Sequence, residues 1–334
     1  MSASSDCVVL AAEEAHSLGA RVIHRAGYSR DEADIIAASL LDAELCGYPA
    51  LGLARSISIA EDERTQVPRM PVTVVHETPV SAQIDGGGYV GVYSLNRAVD
   101  VALDKARANG FALVGLHNSY FSGRNAYYVE KIARAGYAVI HTASSEPYVA
   151  PLGGRECAFG TNPVAVGLPG EPDPYIFDMG TSAITRGEVV LASRLNQLLP
   201  PGVAIDAAGM PTLDAAEALK GAILPLGGTQ AHKGYGLAFM IQAFGLLGGA
   251  GLTQGRAQHF GFLFIVFNPG LLMPREQFEG QLAELIGAMK STPCKPDTDE
   301  IRIPSERAFR ARAQCLREGV FLERRLYESL LALT

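Results

Sequence analysis

The sequence predicts an α/β fold that opens with short packed helices and continues as strands joined by tight turns. Apolar residues between positions 10 and 46 recur at helical spacing. From residue 68 onward, short apolar runs alternate with clusters of Gly, Pro and small polar residues, a pattern typical of strands. With 334 residues, 48% of them hydrophobic, the chain can bury a substantial core in one large or two moderate domains.

The N-terminal part is predicted to be helical. A first helix spans about 10–26 and ends at Gly27. Ser29 then caps a second helix, about 30–46, with Glu32 completing a capping box. A third helical segment follows from Ala50 to about residue 61, so we expect three short helices packed together.

Strands dominate the next part of the chain. Residues 68–79 and 82–84 are predicted strands, and a helix capped by Ser94 leads to a buried strand at 111–116. The glycines at 86–88 do not open a helix directly after the first strand. They therefore lack the context of a Rossmann fingerprint, and we interpret them as a turn.

Further helices and strands alternate toward the C-terminus. The predicted helices are about 126–135, 215–220, 237–247, 275–290 and 305–319, and the predicted strands are about 137–142 and 260–267. The helix at 237–247 is nearly free of charge, so we expect it to be deeply buried.

Composition excludes several classes of protein. The net charge is −7 and no basic stripe is present, which argues against a nucleic-acid partner. No uncharged apolar run reaches about 18 residues, so we expect no membrane span. The cysteines are scattered without zinc-type spacing, and residues 1–6 do not resemble a signal peptide, so we expect a cytoplasmic protein without a metal site.

The segment from Ser144 to Glu188 is the first candidate site. It holds Ser145-Glu146-Pro147, Pro151-Leu152-Gly153-Gly154, Gly160-Thr161-Asn162-Pro163, Phe177-Asp178-Met179-Gly180-Thr181-Ser182 and the turn-like Arg186-Gly187-Glu188. Each cluster alone is more simply an ordinary hairpin turn. Together they offer the bare amides and short hydroxyls that shape a surface for a polar, anionic ligand.

Two other segments have phosphate-binding chemistry. Ser122-Gly123-Arg124 lies between a predicted strand and helix, where amides, the helix dipole and a guanidinium suit a phosphate. A helix cap with a surface arginine is the alternative. His232-Lys233-Gly234 ends a Gly-rich loop before the apolar helix, and Lys233 suits a phosphate or a carboxylate, whereas His232 is more simply a cap.

The order of these motifs resembles the type 2 malate/L-lactate dehydrogenase family of NAD(P)-dependent oxidoreductases. The matching elements are Gly52-Leu53-Ala54-Arg55, Asp85-Gly86-Gly87-Gly88, Gly123 with Tyr127-Tyr128, Ala150-Pro151-Leu152-Gly153-Gly154, Gly160-Thr161-Asn162-Pro163, Phe177-Asp178-Met179-Gly180-Thr181-Ser182, Pro211-Thr212-Leu213-Asp214 and His232-Lys233-Gly234-Tyr235-Gly236. Each motif is weak by itself, but the ordered set covers nearly the whole chain.

The resemblance implies a largely antiparallel, non-Rossmann cofactor domain at 116–274. It also implies a helical substrate and dimer domain, 1–115, completed by 275–334, and a homodimer. The cofactor is NAD or NADP, undecided from the sequence, although Arg124 suits a 2′-phosphate. The implied cofactor contacts are Ser122, Gly123, Arg124, Gly160, Thr161, Asn162, Asp178, Thr181, Ser182, His232, Lys233 and Gly234, and the implied substrate contacts are Leu51, Arg55 and Lys233.

The chain departs from the family where catalysis is concerned. Ala50-Leu51-Gly52 stands where the family typically has Ser-His-Gly, whose histidine donates the proton, and Phe121 stands where many members have another histidine. Losing a positioned acid typically costs about 10²–10⁴ in rate for a ketone substrate. The segment between Leu252 and Gly261 also looks shorter than in relatives, which would alter the substrate pocket.

Four residues are candidates to replace the missing acid: Tyr120, His117, Glu188 and Tyr48. A pocket-rim hydroxyl is an equally good interpretation of Tyr120. Glu188 matches a position where imine-reducing relatives carry Asp, and an iminium substrate arrives already protonated. We therefore expect an NAD(P)H-dependent oxidoreductase for a cyclic imine or 2-oxo acid carrying a carboxylate. A non-redox enzyme on the same scaffold, or a silent cofactor-binding homologue, are the alternatives.

Overall fold

A computed structural model describes residues 6–252 and 259–334. The helices are α1 (Ala12–Arg25), α2 (Arg30–Leu45), α3 (Ala54–Glu61), α4 (Gly91–Asn109), α5 (Ala126–Arg134), α6 (Arg186–Arg194), α7 (Ala215–Lys220), α8 (Ala231–Leu247), α9 (Arg275–Lys290), α10 (Glu306–Glu318) and α11 (Arg324–Ala332). The strands are β1 (Cys7–Leu10), β2 (Thr73–Thr78), β3 (Ser81–Asp85), β4 (Phe111–His117), β5 (Ala138–Ser144), β6 (Val164–Leu168), β7 (Tyr175–Met179), β8 (Ala204–Ile205), β9 (Ala222–Ile223), β10 (Gly261–Phe267) and β11 (Val320–Glu323). The segment predicted to be short, between Leu252 and Gly261, falls largely outside these described residues.

The main sheet confirms the predicted largely antiparallel architecture. Its strand order is β2-β3-β4-β10-β5-β6-β7. Every neighbouring pair is antiparallel except β3 and β4. A doubly wound parallel sheet is thus absent from the described chain, in agreement with our interpretation of residues 86–88 as a turn.

Helices α4 and α5 cover the sheet and form its core. Leu95, Val99 and Ile132 from these helices pack against Leu116 and Phe264 from β4 and β10, all of them buried. The helices repeat apolar side chains along one face, whereas the central strand β10 buries consecutive residues from Gly261 to Phe264, because both α4 and α8 pack against it. The sheet therefore provides a rigid base from which the loops after β4 and β5 project.

Both chain ends build the helical domain, as predicted. Strand β1 pairs antiparallel with β11, joining Leu10 to Val320. Val320, Leu322 and Leu330 share a core with the buried faces of α1, α2 and α3. The sequence patterns did not identify β1, β11 or α11. Strands β2, β3 and most of β4 lie within the range 1–115 but belong to the main sheet, which therefore extends beyond the predicted range 116–274.

Two predicted helix starts need correction. Helix α4 begins at Gly91, so Ser94 lies inside the helix, where its hydroxyl bonds Ser119 Oγ at 2.7 Å. Helix α8 begins at Ala231, so residues 232–234 occupy its first turn instead of a loop. By contrast, the capping box of α2 is confirmed, since Glu32 Oε2 accepts from the Ser29 amide at 2.8 Å.

Helix α8 is also less buried than predicted. Phe239 and Leu247 are 58% and 65% exposed, and Met240 and Leu246 lie on the same exposed face. The absence of charged residues from α8 is therefore not explained by burial of this helix within one chain. No described helix is both long and apolar enough to cross a bilayer.

Candidate active site

Three distant segments of the chain meet at Arg55. Its Nε donates to the Ala50 carbonyl at 2.8 Å, and its guanidinium carbon lies 5.1 Å from the centroid of the Phe121 ring. Its Nη2 lies 3.0 Å from the position that a Cβ on Gly187 would take. We call Ala50, Arg55, Phe121 and Gly187 the Arg55 cluster. It joins the predicted substrate segment at 50–55 with the loop after β4 and the first turn of α6.

Glu44 fixes the turn that carries Ala50 and Leu51. Its Oε2 accepts from the Leu53 amide at 3.0 Å. A Cβ on Gly52 would lie 2.1 Å from the same oxygen, so a larger residue there would displace the Glu44 carboxylate. Desolvation raises the pKa of Glu44, while the Leu53 amide opposes that shift. Glu44 has no motif of its own in the sequence, although Gly52 is a signal that the backbone approaches another group closely.

The loop after β4 is held in an unusual backbone conformation. Phe121 has φ +51° and Gly123 has φ +71°. A Cβ on Gly91 would lie 2.7 Å from the Phe121 carbonyl, and Tyr128 donates from its hydroxyl to the Ser122 carbonyl at 2.7 Å. A bulky residue with positive φ persists only where its surroundings impose it. These contacts impose it by packing α4 and α5 against the loop.

Arg124 does not present its guanidinium to solvent. Its side chain is 3% exposed and pairs with Asp42 at 2.7 Å. Arg312 bonds Asp42 at 2.8 Å and Glu130 at 2.7 Å. Burial of the carboxylate raises the pKa of Asp42, against the opposing effect of the two arginines. The structure therefore contradicts the expectation that Arg124 meets a 2′-phosphate, because its charge is already neutralised inside the protein.

Several other predicted cofactor residues shape the site through internal hydrogen bonds. Asn162 Nδ2 donates to the Ala238 carbonyl at 3.0 Å, and Thr181 Oγ1 donates to the Asn162 carbonyl at 3.0 Å. Ser182 Oγ donates to the Ile184 carbonyl at 2.8 Å. These side chains link the turns after β5 and β7 to α8, leaving mainly backbone and the half-buried Thr161 on the surface.

Gly160 and Asp178 also stabilise the turns after β5 and β7. A Cβ on Gly160 would lie 2.0 Å from Ser145 Oγ, so the turn closes only with glycine. Asp178 Oδ2 accepts from the Ala126 amide at 2.8 Å and so caps the start of α5. Desolvation raises the pKa of Asp178. Asp178 therefore holds the start of α5 against the end of β7, and Gly160 lets the turn pack against Ser145.

Tyr120 and His117 lie on a different surface from Arg55. Both line a cavity of about 390 Å³ that also includes Arg64. Tyr120 is buried, its hydroxyl bonds Thr65 Oγ1 at 2.9 Å, and the Arg64 guanidinium stacks on its ring at 4.1 Å. His117 Nδ1 bonds Gln83 Nε2 at 3.0 Å. The structure thus groups these two candidates with each other and not with Leu51.

Glu188 and Tyr48 also have structural partners. Glu188 Oε2 accepts from the amide of Thr185 at 2.9 Å and from its hydroxyl at 2.6 Å, so it caps α6 where the sequence suggested a turn. Tyr48 lies between the guanidiniums of Arg124, at 5.5 Å, and Arg307, at 4.9 Å. Glu188 still follows Gly187 directly, which keeps it at the edge of the Arg55 cluster.

The exposed groups near α8 fit a dinucleotide. His232 and Lys233 are exposed in its first turn, and a Cβ on Gly228 or Gly236 would meet nothing within 4 Å. An accessible helix start with a lysine and open backbone suits a diphosphate. Among the described residues, no group of three or more His, Cys, Asp or Glu side chains is arranged to hold a metal ion.

Comparison with known proteins gives a consistent result. The family model described as malate/L-lactate dehydrogenase matches residues 10–331. The L-sulfolactate dehydrogenase of Methanothermobacter thermautotrophicus is 35% identical over 317 residues, covering 91% of this chain and 89% of the relative. Delta(1)-pyrroline-2-carboxylate reductase 1 of Burkholderia ambifaria is 32% identical over 356 residues, covering 100% of this chain and 99% of the relative.

Solved structures agree with the sequence comparison. The malate dehydrogenase from Pyrococcus horikoshii OT3 superposes with a TM-score of 0.87 at 28% identity, covering 99% of this chain and 95% of that one. The sulfolactate dehydrogenase from Methanocaldococcus jannaschii gives a TM-score of 0.83 at 32% identity, covering 98% and 96%. The similarity therefore extends over the sheet and both ends of the chain.

Proposed function

The chain belongs to the malate/L-lactate dehydrogenase family, and from this premise we propose that it reduces a small cyclic imine carrying a 2-carboxylate, using NADH or NADPH. One observation carries the proposal: Arg55, the cation of its cluster, is bordered by the apolar side chain of Phe121 and by the Ala50-Leu51 turn. The site thus supplies a carboxylate anchor, and none of the residues that form the Arg55 cluster carries an imidazole.

Arg55 is the proposed carboxylate-binding residue. A planar guanidinium binds a carboxylate through two parallel hydrogen bonds, which fixes both distance and orientation. The Phe121 ring and the Ala50 carbonyl limit the motion of Arg55, so less entropy is lost when a substrate binds. The Gly187 backbone, which approaches Arg55 closely, forms the opposite wall.

The lack of a positioned acid favours an imine over a ketone. Reduction of a ketone creates an alkoxide that requires a proton, whereas a protonated imine becomes a neutral amine without one. Leu51 and Phe121 have no proton to donate, and the side chains of Tyr120 and His117 line the separate 390 Å³ cavity. Glu188, beside Gly187, is the proposed carboxylate that stabilises the iminium charge at the edge of the cluster.

The first turn of α8 and the backbone of the surrounding loops are proposed to hold the dinucleotide. Lys233 and His232 would contact its phosphates, while Ser122, Gly123 and Thr161 would border its nicotinamide half. When bound, the reduced nicotinamide supplies the hydride. Burial of Arg124 in its ion pair with Asp42 removes the main reason to prefer NADP, so both forms need to be tested.

We also propose that the protein is a cytoplasmic homodimer. Phe239 and Leu247 extend the exposed, uncharged face of α8, and a large exposed apolar face favours association. Sedimentation equilibrium would give the mass. A Phe239→Asp substitution is expected to shift the protein toward monomer, and a mass that is monomeric before any substitution would refute the proposal.

The test is a comparison of substrates with the purified chain. We expect oxidation of NADH or NADPH with Δ1-pyrroline-2-carboxylate or Δ1-piperideine-2-carboxylate, with a kcat/KM well above that for 2-oxo acids such as sulfopyruvate. Arg55→Met should raise KM for the imine by about 10-fold or more, the loss of a charge-assisted contact. Dinucleotide binding without turnover of either class would eliminate the proposal in favour of a silent homologue.

A 2-oxo acid is the second candidate, because an L-sulfolactate dehydrogenase is 35% identical over 91% of this chain. Preference for the 2-oxo acid in the same comparison would replace the imine assignment. It would also require a proton donor from outside the Arg55 cluster.

A further inference from the structure

The cavity lined by Tyr120 and His117 is distinct from the Arg55 cluster. Its walls include Val67, Arg69, Ser119 and Phe260, and its volume of about 390 Å³ suits a small organic molecule. None of Ala50, Arg55, Phe121 and Gly187 lines it. Tyr120 and Phe121 are consecutive, so the loop after β4 separates two different surfaces.

The two guanidiniums at this cavity differ in their partners. Arg64 is already balanced, because it bonds Asp62 at 2.7 Å and Glu146 at 3.1 Å. Glu146 is the one carboxylate among the lining residues, beside two guanidiniums and the imidazoles of His117 and His259. The second guanidinium, that of Arg69, is therefore the group on this wall that can pair with a carboxylate from a ligand.

Arg69 contacts neutral groups throughout the described part of the chain. It donates to the carbonyls of Thr65, at 3.0 Å, and Gly27, and its guanidinium stacks on Tyr28 at 3.9 Å and lies 5.4 Å from the Tyr89 ring centroid. These contacts fix the position of the Arg69 guanidinium but do not neutralise its charge. A held guanidinium at the wall of a half-apolar cavity is a preorganised site for a carboxylate.

We propose that this cavity is a second binding site, for a small organic monocarboxylate whose carboxylate is held by Arg69 and whose apolar body contacts Val67 and Phe260. The site does not depend on the redox reaction proposed for the Arg55 cluster. Ser119 also lines the cavity, but its hydroxyl donates to the Tyr89 carbonyl at 2.6 Å, which leaves the carboxylate to Arg69.

Benzoate, a monocarboxylate with an apolar ring, is the probe, and isothermal titration calorimetry is the measurement. Arg69→Met keeps the length of the side chain and removes its charge, so benzoate binding should weaken by about 10-fold or more. Val67→Phe introduces bulk at a residue that is 61% exposed and lines the cavity, and should weaken binding without touching Arg69. Arg55→Met should leave this binding event unchanged.

The three variants make the outcome decisive. Loss of benzoate binding in Arg55→Met, with retention in Arg69→Met and Val67→Phe, would place the ligand in the Arg55 cluster and overturn the second site. Absence of benzoate binding to the unmodified chain at millimolar concentration would also overturn it. If Arg69→Met fails to fold, Val67→Phe decides alone. Failure of imine turnover, with benzoate binding sensitive to Arg69, would refute the proposed function and leave the second site intact.

Discussion

The guanidinium of Arg55 lies 5.1 Å from the centroid of the Phe121 ring. A cation at this distance from an aromatic face is attracted by the ring, typically by about 0.5–1 kcal/mol at an exposed site. Phe121 thus places beside Arg55 a ring that cannot donate a proton. Under the proposed function, this pair orients Arg55 for a substrate carboxylate, while Phe121 supplies no acid.

The first prediction restores a proton donor beside Arg55. The Ala50→Ser, Leu51→His double variant should increase kcat for 2-oxo acids, by up to about 10²–10⁴, because a positioned imidazole can protonate the developing alkoxide. Rates with cyclic imines should change far less. Stopped-flow absorbance of NADH or NADPH with both substrate classes measures the effect.

The matched control for this variant is Ala50→Ser alone, which adds the hydroxyl without an acid. It should leave kcat for 2-oxo acids near its original value. An equal gain in the single and double variants would show that polarity at position 50, not proton donation from position 51, limits the reaction.

The second prediction separates the charge of Glu188 from its capping role. Glutamine also completes a capping box, so Glu188→Gln should preserve the hydrogen bonds to Thr185 and leave Tm nearly unchanged. If the carboxylate stabilises an iminium, kcat/KM for cyclic imines should fall by about 10-fold or more, whereas turnover of neutral 2-oxo groups should not. Equal losses for both substrate classes would contradict the assigned role.

The third prediction concerns the ion pair that anchors the loop after β4. Asp42→Asn leaves Arg124 buried without its counter-charge, and removing one member of a buried pair typically costs about 3–5 kcal/mol. Urea denaturation measures the free energy of unfolding. Dinucleotide affinity should also fall, because Arg124 follows Ser122 and Gly123 directly.

Asp100→Asn is the control for Asp42→Asn. Asp100 pairs with Arg97 at 3.3 Å, but both side chains are more than half exposed. Such surface pairs contribute about 0–1 kcal/mol, so this variant should be nearly neutral. A similar loss in both variants would mean that burial does not determine the contribution of the Asp42 pair.

The sequence predicted the elements of the fold that depend mainly on neighbouring residues along the chain. The Ser29–Glu32 capping box and the helix end at Gly27, which has φ +91°, depend on local chemistry, and both are found where expected. Strand β11 could not be recognised, because it forms only by pairing with residues 7–10 at the opposite end of the chain. The exposure of Phe239 could not be predicted either. An uncharged helix is compatible both with burial in a core and with contact to a partner protein.

The site was predictable to a similar degree. Arg55 and Phe121 were identified from their motifs, and the structure brings them together. The partners that occupy Arg124 and Tyr120 were not, since Asp42 and Thr65 are 82 and 55 residues away along the chain. Whether a polar side chain is available for a ligand depends on such long-range partners, which no local motif records.

The last prediction concerns a buried histidine in the central sheet. His141 stacks on Phe264 with ring centroids 4.0 Å apart, and its Nδ1 bonds the Leu263 carbonyl at 3.1 Å. Its Nε2 has no hydrogen-bond partner in the described chain. Desolvation lowers the pKa of His141 from 6.5 to about 4, so the ring stays neutral in the folded protein over most of the acidic range.

This pKa makes stability depend on pH in a defined direction. Above pH 6.5 the ring is neutral in both the folded and the unfolded states, so it adds no pH dependence. Between the unfolded value of 6.5 and the folded value of about 4, the unfolded chain binds a proton that the folded chain does not. The free energy of unfolding should therefore fall by about 1.4 kcal/mol per pH unit, on the order of 3 kcal/mol in total.

His141→Phe removes the titrating group while keeping an aromatic ring beside Phe264. Urea denaturation of both proteins at intervals from pH 7.5 to pH 4 isolates the effect, because the carboxylates titrate equally in each. The difference in unfolding free energy should move in favour of the variant as the pH falls below about 6.5. Parallel stability curves would mean that His141 binds its proton equally well in the folded state, so that its burial against Phe264 carries no electrostatic cost.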